Sequence, residues 1–204
     1  MKALLLVDLQ NDFLPGGALA VPHGDEVIEI ANRLQPQFEL VVATQDWHPA
    51  NHDSFAAKHP GKRPGEEILL NGCRQVLWPV HCVQGTPGAE LAPALEKRLI
   101  RKTFAKGVDS QIDSYSAFFD NAHLRSTGLG EYLREQGVDE VYILGLATDY
   151  CVKATALDAV ELGFKTYLIE DACRGVNLTV RDVERAIDEM RAAGVGVIRS
   201  DELK

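Results

Sequence analysis

Short apolar runs recur along the chain, separated by segments whose apolar residues return every three or four positions. The runs fall at 3–7, 40–44, 98–102, 141–144, 166–169 and 195–198. Several are near-continuous rather than alternating, the pattern of strands covered on both faces. Between them, Val27, Ile30, Ala31 and Leu34 form one helical stripe, and Val180, Val183, Ile187 and Met190 form another. The second stripe carries its own punctuation: Thr179 with Asp182 resembles a capping box, and Gly194 follows the helix end. Residues 129–136 before Gly137, and 152–162 before Gly163, read as two further helices. Strands and helices alternating at this spacing predict an α/β fold with a doubly wound, mostly parallel sheet and helices on both faces. One region departs from the rhythm. From about 45 to 89 there is little periodicity but much Pro, Gly and His, including His48, His52, His59 and His81. Long stretches of that kind are uncommon inside a domain and usually functional, and a bound metal ion is the simplest device for holding one.

Composition narrows the function classes. The 204 residues fit one domain spanning 1–204, with a metal-binding loop region at about 45–89. With 21 Lys and Arg against 30 Asp and Glu, the net charge is −9, which argues against nucleic acid as a partner. No apolar run approaches the roughly 20 residues of a membrane span. The run at 3–7 is too short for a secretion signal and ends at Asp8. Four cysteines, Cys73, Cys82, Cys151 and Cys173, do not make a disulfide framework in a chain this long. A cytoplasmic protein with reduced thiols, monomeric or a small homo-oligomer, is the expectation.

Ligands of open α/β sheets bind beyond the carboxyl ends of the strands. There the sequence places Asp8, Asp46, Lys106, Asp149 and Cys151. Cys151 falls in the first turn of a helix that follows a strand, where the helix dipole favours a thiolate and free N–H groups can hold an oxyanion. Read singly, Cys151 is equally a small buried hydrophobe, Asp8 a turn cap and Lys106 an exposed lysine. Together they supply a nucleophile, a base and an orienting cation. Cys73, Cys82 and Cys173 lack the strand-to-helix setting and read as structural. Asp46 and His48, two apart in an extended segment, point to one side, and His81 supplies a third ligand that closes the loop. Hydrogen-bonded loop histidines would account for the same spacing. An Asp and two His suit zinc, iron or manganese. His52 and Ser54 are further candidates for a direct or water-mediated contact, and His59 reads as solvated.

Five motifs carry a resemblance: Val7-Asp8-Leu9-Gln10-Asn11-Asp12-Phe13, Gln45-Asp46-Trp47-His48-Pro49, Trp78-Pro79-Val80-His81-Cys82, Lys106-Gly107 followed by Tyr115-Ser116-Ala117-Phe118, and Gly145-Leu146-Ala147-Thr148-Asp149-Tyr150-Cys151-Val152. The chain resembles the nicotinamidases of the isochorismatase-like cysteine hydrolase superfamily. The resemblance implies six parallel strands and hydrolysis of nicotinamide to nicotinate and ammonia through a cysteine thioester, a step of NAD salvage, with pyrazinamide as a second substrate. It carries Asp8, Lys106 and Cys151 onto the catalytic triad. Asp46, His48 and His81 fall on the ligands of one divalent ion, zinc foremost, with iron or manganese as alternatives. It also implies a non-proline cis bond between Leu146 and Ala147, an oxyanion hole from the Ala147 and Cys151 N–H groups, and Phe13, Trp78 and Tyr115 around the substrate ring. Some members place a further histidine eight residues after the metal-binding aspartate. Here that position is Ser54, expected to hold a water, with His52 the alternative. The rival readings are hydrolysis of another small amide, such as an N-carbamoyl or ureido compound, and a non-enzymatic metal- or redox-binding protein.

Overall fold

All six apolar runs become strands of a single parallel sheet in the computed structural model, which describes residues 1–203. In chain order the strands are β1 (Lys2–Val7), β2 (Leu40–Asp46), β3 (Glu67–Leu70), β4 (Cys73–Val76), β5 (Ile100–Lys106), β6 (Glu140–Leu146), β7 (Lys165–Arg174) and β8 (Gly196–Ile198). The helices are α1 (Glu26–Leu34), α2 (Leu129–Glu135), α3 (Lys153–Glu161) and α4 (Asp182–Ala192). The sheet order is β5-β2-β1-β6-β7-β8, with every pair parallel. The chain therefore builds outward from β1 to β5, then returns to the middle and builds the other way from β6. Right-handed crossovers in opposite directions put α1 and α3 on opposite faces, and both pack on β7. Between β1 and β6 the winding reverses, which opens a crevice at the carboxyl ends of these strands. β1 is buried from Ala3 onward, as its unbroken apolar run requires.

At this switch point one glycine has no room for a side chain. Val7 pairs with Gly145. Gly145 has φ of 129°, and a Cβ there would sit 2.1 Å from the Val7 carbonyl oxygen. Only glycine meets both demands.

Several boundaries move for identifiable reasons. β5 begins and ends later than the run at 98–102, because it is an edge strand whose Arg101, Lys102 and Thr103 are exposed. Apolar density is therefore a poor guide to its ends, and Lys106 becomes its last residue rather than a residue beyond it. Val180 is not part of the α4 stripe. It precedes the helix and is 82% exposed, and the buried face is Ala186, Ile187 and Met190. Of the expected cap, one half forms: the Thr179 N–H donates to Asp182 Oδ2 at 2.6 Å. In α1 the buried face takes Ile28 in place of Ile30.

The segment at 45–89 has more regular structure than its sequence rhythm suggests. β3 and β4 form an antiparallel hairpin. Asn71 and Gly72 at its turn both have positive φ, 48° and 86°, which is the Asn-Gly signature of a type I′ turn. Elsewhere the segment ties to itself through backbone bonds, with Ala56 N–H on the Trp78 carbonyl at 2.8 Å, Trp78 N–H on Ser54 at 2.9 Å and His48 N–H on Cys82 at 3.0 Å.

Candidate active site

Three strand ends and one turn deliver their side chains to the crevice. Asp8 follows β1 directly with left-handed backbone, φ 51°. Asp46 and Lys106 are the last residues of β2 and β5. Cys151 lies in a wide turn, Thr148–Val152, that leads into α3, and the Val152 N–H reaches the Ala147 carbonyl five residues back at 3.1 Å. The Leu146–Ala147 peptide is cis.

Lys106 joins these groups. Its side chain is 1% exposed, so the solvated-lysine reading fails. Nζ lies 2.8 Å from Asp8 Oδ2 and 3.3 Å from Cys151 Sγ, and it donates to the Ser114 carbonyl at 2.9 Å and to Asp46 Oδ1. Burial would lower its pKa, but the Asp46 and Asp8 carboxylates hold it well above the usual lysine value. Burial pushes the Asp8 carboxyl up, offset only in part by Lys106 and by a hydroxyl bond from Thr44. Burial likewise pushes the Cys151 thiol well up, against the pull of Lys106. Burial favours the neutral thiol, and a neighbouring base serves to ionise it.

The sequence treated triad and metal ligands as two constellations, whereas the structure makes Asp46 common to both. One of its oxygens accepts from Lys106, and the other lies 3.6 Å from His48 Nε2 and 3.8 Å from His81 Nε2. Burial alone would raise the Asp46 pKa, yet Lys106 and His48 hold it well below the usual carboxylate range. The Nδ1 atoms of His48 and His81 face the carbonyls of Gly107 and Pro79 at 2.9 and 2.8 Å. Those bonds fix the tautomers and turn both Nε2 lone pairs toward Asp46. His48 Nε2 is buried with no partner. Ligands of one tetrahedral ion stand about 3.3 Å apart, so these residues fit a divalent metal with little adjustment.

Of the two secondary candidates, Ser54 Oγ is engaged with His52 Nδ1 at 2.7 Å, and both residues are fully buried. The His52 ring packs 4.4 Å from that of His48. His59 is not solvated as expected: it is half-buried, and its Nε2 meets the Asp53 carbonyl at 2.7 Å. Cys82 and Cys173 are buried and free, with the Cys173 thiol pushed by burial to about 12.

Beside Cys151 opens a small, largely apolar cavity. Phe13, Trp78 and Tyr115 line it, as do Asp46 and His81. Trp78 Nε1–H donates to the Tyr115 hydroxyl at 3.1 Å, and Tyr150 meets the Trp78 ring edge-on at 4.8 Å. Sequence reasoning assigned no role to Tyr150 or Asp113, which also line the cavity, nor to Gln75, which donates to both Asp113 and Tyr115. Tyr150 had a signal, adjacency to Cys151, but Gln75 and Asp113 had none without the tertiary fold.

Thr44 was missed as well. Its hydroxyl donates to Asp8 Oδ1 at 2.6 Å and accepts the Asp8 N–H at 3.2 Å. A hydrogen bond to a charged group is worth about 1.5–3 kcal/mol, or roughly one to two pH units. Thr44→Val, which keeps the shape, should raise the Asp8 pKa further. The acidic limb of kcat/KM against pH should then move up by about one unit or more. An unmoved limb would remove Thr44 from the base's support.

Residues 2–202 match the isochorismatase domain family. The chain belongs to that family. Among its isochorismatase relatives, the nicotinamidase of Escherichia coli strain K12 is 53% identical over 197 residues, covering 95% of this chain and 92% of that one. A solved Acinetobacter baumanii nicotinamidase/pyrazinamidase superposes with a TM-score of 0.97 at 52% identity, covering 100% of this chain and 98% of its own. The pyrazinamidase of Pyrococcus horikoshii, solved in complex with zinc, matches at 40% identity and a TM-score of 0.79, over 97% and 98% of the two chains. No helix among the described residues is long and apolar enough to cross a membrane.

Proposed function

We propose that this pocket hydrolyses nicotinamide to nicotinate and ammonia, a step of NAD salvage, with Cys151 as nucleophile and Asp8 as base. The observation that carries the assignment is Lys106 Nζ, buried and within 3.3 Å of both Asp8 and Cys151. A carboxamide resists attack because resonance weakens its carbonyl, so an activated nucleophile and a held oxyanion are both required. The Asp8 carboxylate takes the Cys151 proton, and the sulfur attacks the carboxamide carbon. The Ala147 and Cys151 N–H groups hold the oxyanion. Asp8 returns the proton to the departing ammonia, which leaves a thioester. Asp8 then takes a proton from water, which attacks the thioester carbon and frees nicotinate and the thiolate, and the thiolate recovers that proton. Lys106 stays an ammonium throughout and keeps Asp8 ionised between turnovers.

Asp46, His48 and His81 hold a divalent ion in this reading, and such an ion supplies an anchor for the ring nitrogen of the substrate. Zinc is favoured by the donor set and by the zinc complex of the Pyrococcus relative. Phe13, Trp78 and Tyr115 enclose the ring. Residues 1–204 act as one catalytic domain, with 45–89 as its metal-binding region. A small neutral substrate needs no basic surface, and the net charge of −9 supports a protein without a nucleic-acid partner. The free cysteines support a reducing, cytoplasmic setting.

Ammonia release from nicotinamide and pyrazinamide, measured with and without chelator, tests the reading. Both substrates should be cleaved, and chelation should suppress turnover. His48→Ala should lose the bound ion and chiefly raise KM, since the ion positions the ring rather than the carbonyl. Cleavage of ureido compounds in preference to nicotinamide would overturn the substrate assignment. Full metal content in His48→Ala would overturn the ligand set.

A further inference from the structure

A second cluster of metal-capable side chains lies outside the catalytic pocket, where the loop after Phe119 meets α3. Asp158 and Glu161 stand three residues apart on α3 and so share a face. His123 comes from the loop, and its ring stacks on Phe119 with centroids 5.0 Å apart. One ligand-capable atom from each of the three lies within 4.8 Å of the others. His123 Nε2 is 3.3 Å from Asp158 Oδ1. That is the separation of two atoms bonded to one tetrahedral ion at about 2.0–2.1 Å.

An independent observation points the same way. The Asp158 side chain is only 9% exposed, and its Oδ2 is buried with no hydrogen-bond partner. Burial pushes this carboxyl up, and the nearby Ser116 hydroxyl and His123 offset only part of that. An unpaired buried polar group costs about 1–3 kcal/mol, and more when charged, so the site favours a cation. Asp158 opens onto a cleft of about 370 Å³ that Asp120 and Asn121 also line. The Asp120 Oδ2 is likewise buried without a partner. Arg74, on the rim of the cleft, lies 3.8 Å from Glu67 with its side chain 88% exposed, so the inner wall keeps its acidic character.

We propose that His123, Asp158 and Glu161 form a second metal site, one imidazole nitrogen and two carboxylates, that takes zinc or a similar divalent transition ion. The imidazole selects against calcium and magnesium, which prefer oxygen throughout. The loop that supplies His123 continues from Ser114 and Tyr115 of the catalytic pocket, and α3 continues from the turn that carries Cys151. An ion here ties the loop to α3 at a distance from the reacting groups, so its expected effect is on stability rather than on turnover.

Metal-stripped protein equilibrated with zinc chloride at micromolar free zinc, with zinc measured per chain after dialysis, tests the site. The wild type should hold two ions and the doubly substituted His123→Ala/Glu161→Gln one. Both substituted residues are at the surface, so the fold and nicotinamide hydrolysis should be unchanged. In His48→Ala one ion should remain, and adding the double substitution should remove it. Zinc should also raise the melting temperature of His48→Ala but not of the combined variant. One ion per chain in the wild type, or a second ion that survives His123→Ala/Glu161→Gln, would overturn the proposal.

Discussion

Cys151→Ala should abolish turnover, lowering kcat by about 10⁴-fold or more, as removal of a catalytic nucleophile does elsewhere. Neither Cys82 nor Cys173 can stand in. Cys82 is fully buried, and Cys173 sits in β7 with its sulfur on the Ile169 carbonyl at 3.4 Å. The substitution removes one sulfur from a residue that already faces a cavity, so thermal unfolding should change little. Mass spectrometry after rapid quench supplies the positive half of the test. A nicotinoyl adduct should appear on the Cys151 peptide of the wild type and on no peptide of the variant. Residual turnover above background, or an adduct on Cys82 or Cys173, would remove the nucleophile assignment.

Lys106→Met should be nearly as damaging, for an electrostatic reason. The lysine is the one cation between two fully or almost fully buried carboxylates, Asp8 and Asp46, whose oxygens lie within 4.8 Å of each other. Without it the two negative charges cannot both persist in a dry site, and one takes a proton. Asp8 is the one that yields, because burial already pushes its carboxyl up while His48 still supports ionised Asp46. A neutral Asp8 cannot take the Cys151 proton. The expected outcome is a kcat loss of about 10³-fold or more and a stability loss of about 3–5 kcal/mol by denaturant unfolding. The diagnostic signature is partial recovery of rate as pH rises through the elevated Asp8 value. A variant with wild-type rate at neutral pH would show that Lys106 is structural only.

The sheet was largely legible because buried parallel strands leave unbroken apolar runs, and β1, β2 and β6 are such runs. Legibility fell where burial falls. The edge strand β5 alternates with charge and begins and ends later than its apolar run, and the short β3–β4 hairpin buries only Gln75. Its Asn-Gly turn was nevertheless written in the sequence at Asn71 and Gly72. In the site, side chains at strand ends could be found because topology alone converges them. Thr44 points to Asp8 across a strand pair, and Gln75 reaches Tyr115 from the hairpin. Such partners depend on register and loop path, which no local pattern encodes. Lys106 was ambiguous for a related reason: a lysine's burial is decided by the carboxylates around it, and those come from other strands.

The bare position at Gly145 has a consequence for the chemistry above it. Base and nucleophile belong to different strands, Asp8 to the end of β1 and Cys151 to the turn after β6. Their separation is inherited from the spacing of two backbones one residue below, where Val7 lies against Gly145. A general base must stand within hydrogen-bond reach of the proton it takes, and the bare position at Gly145 leaves the room that brings these two strand ends together. Part of the catalytic apparatus is thus empty space, and it belongs to the sheet rather than to the pocket.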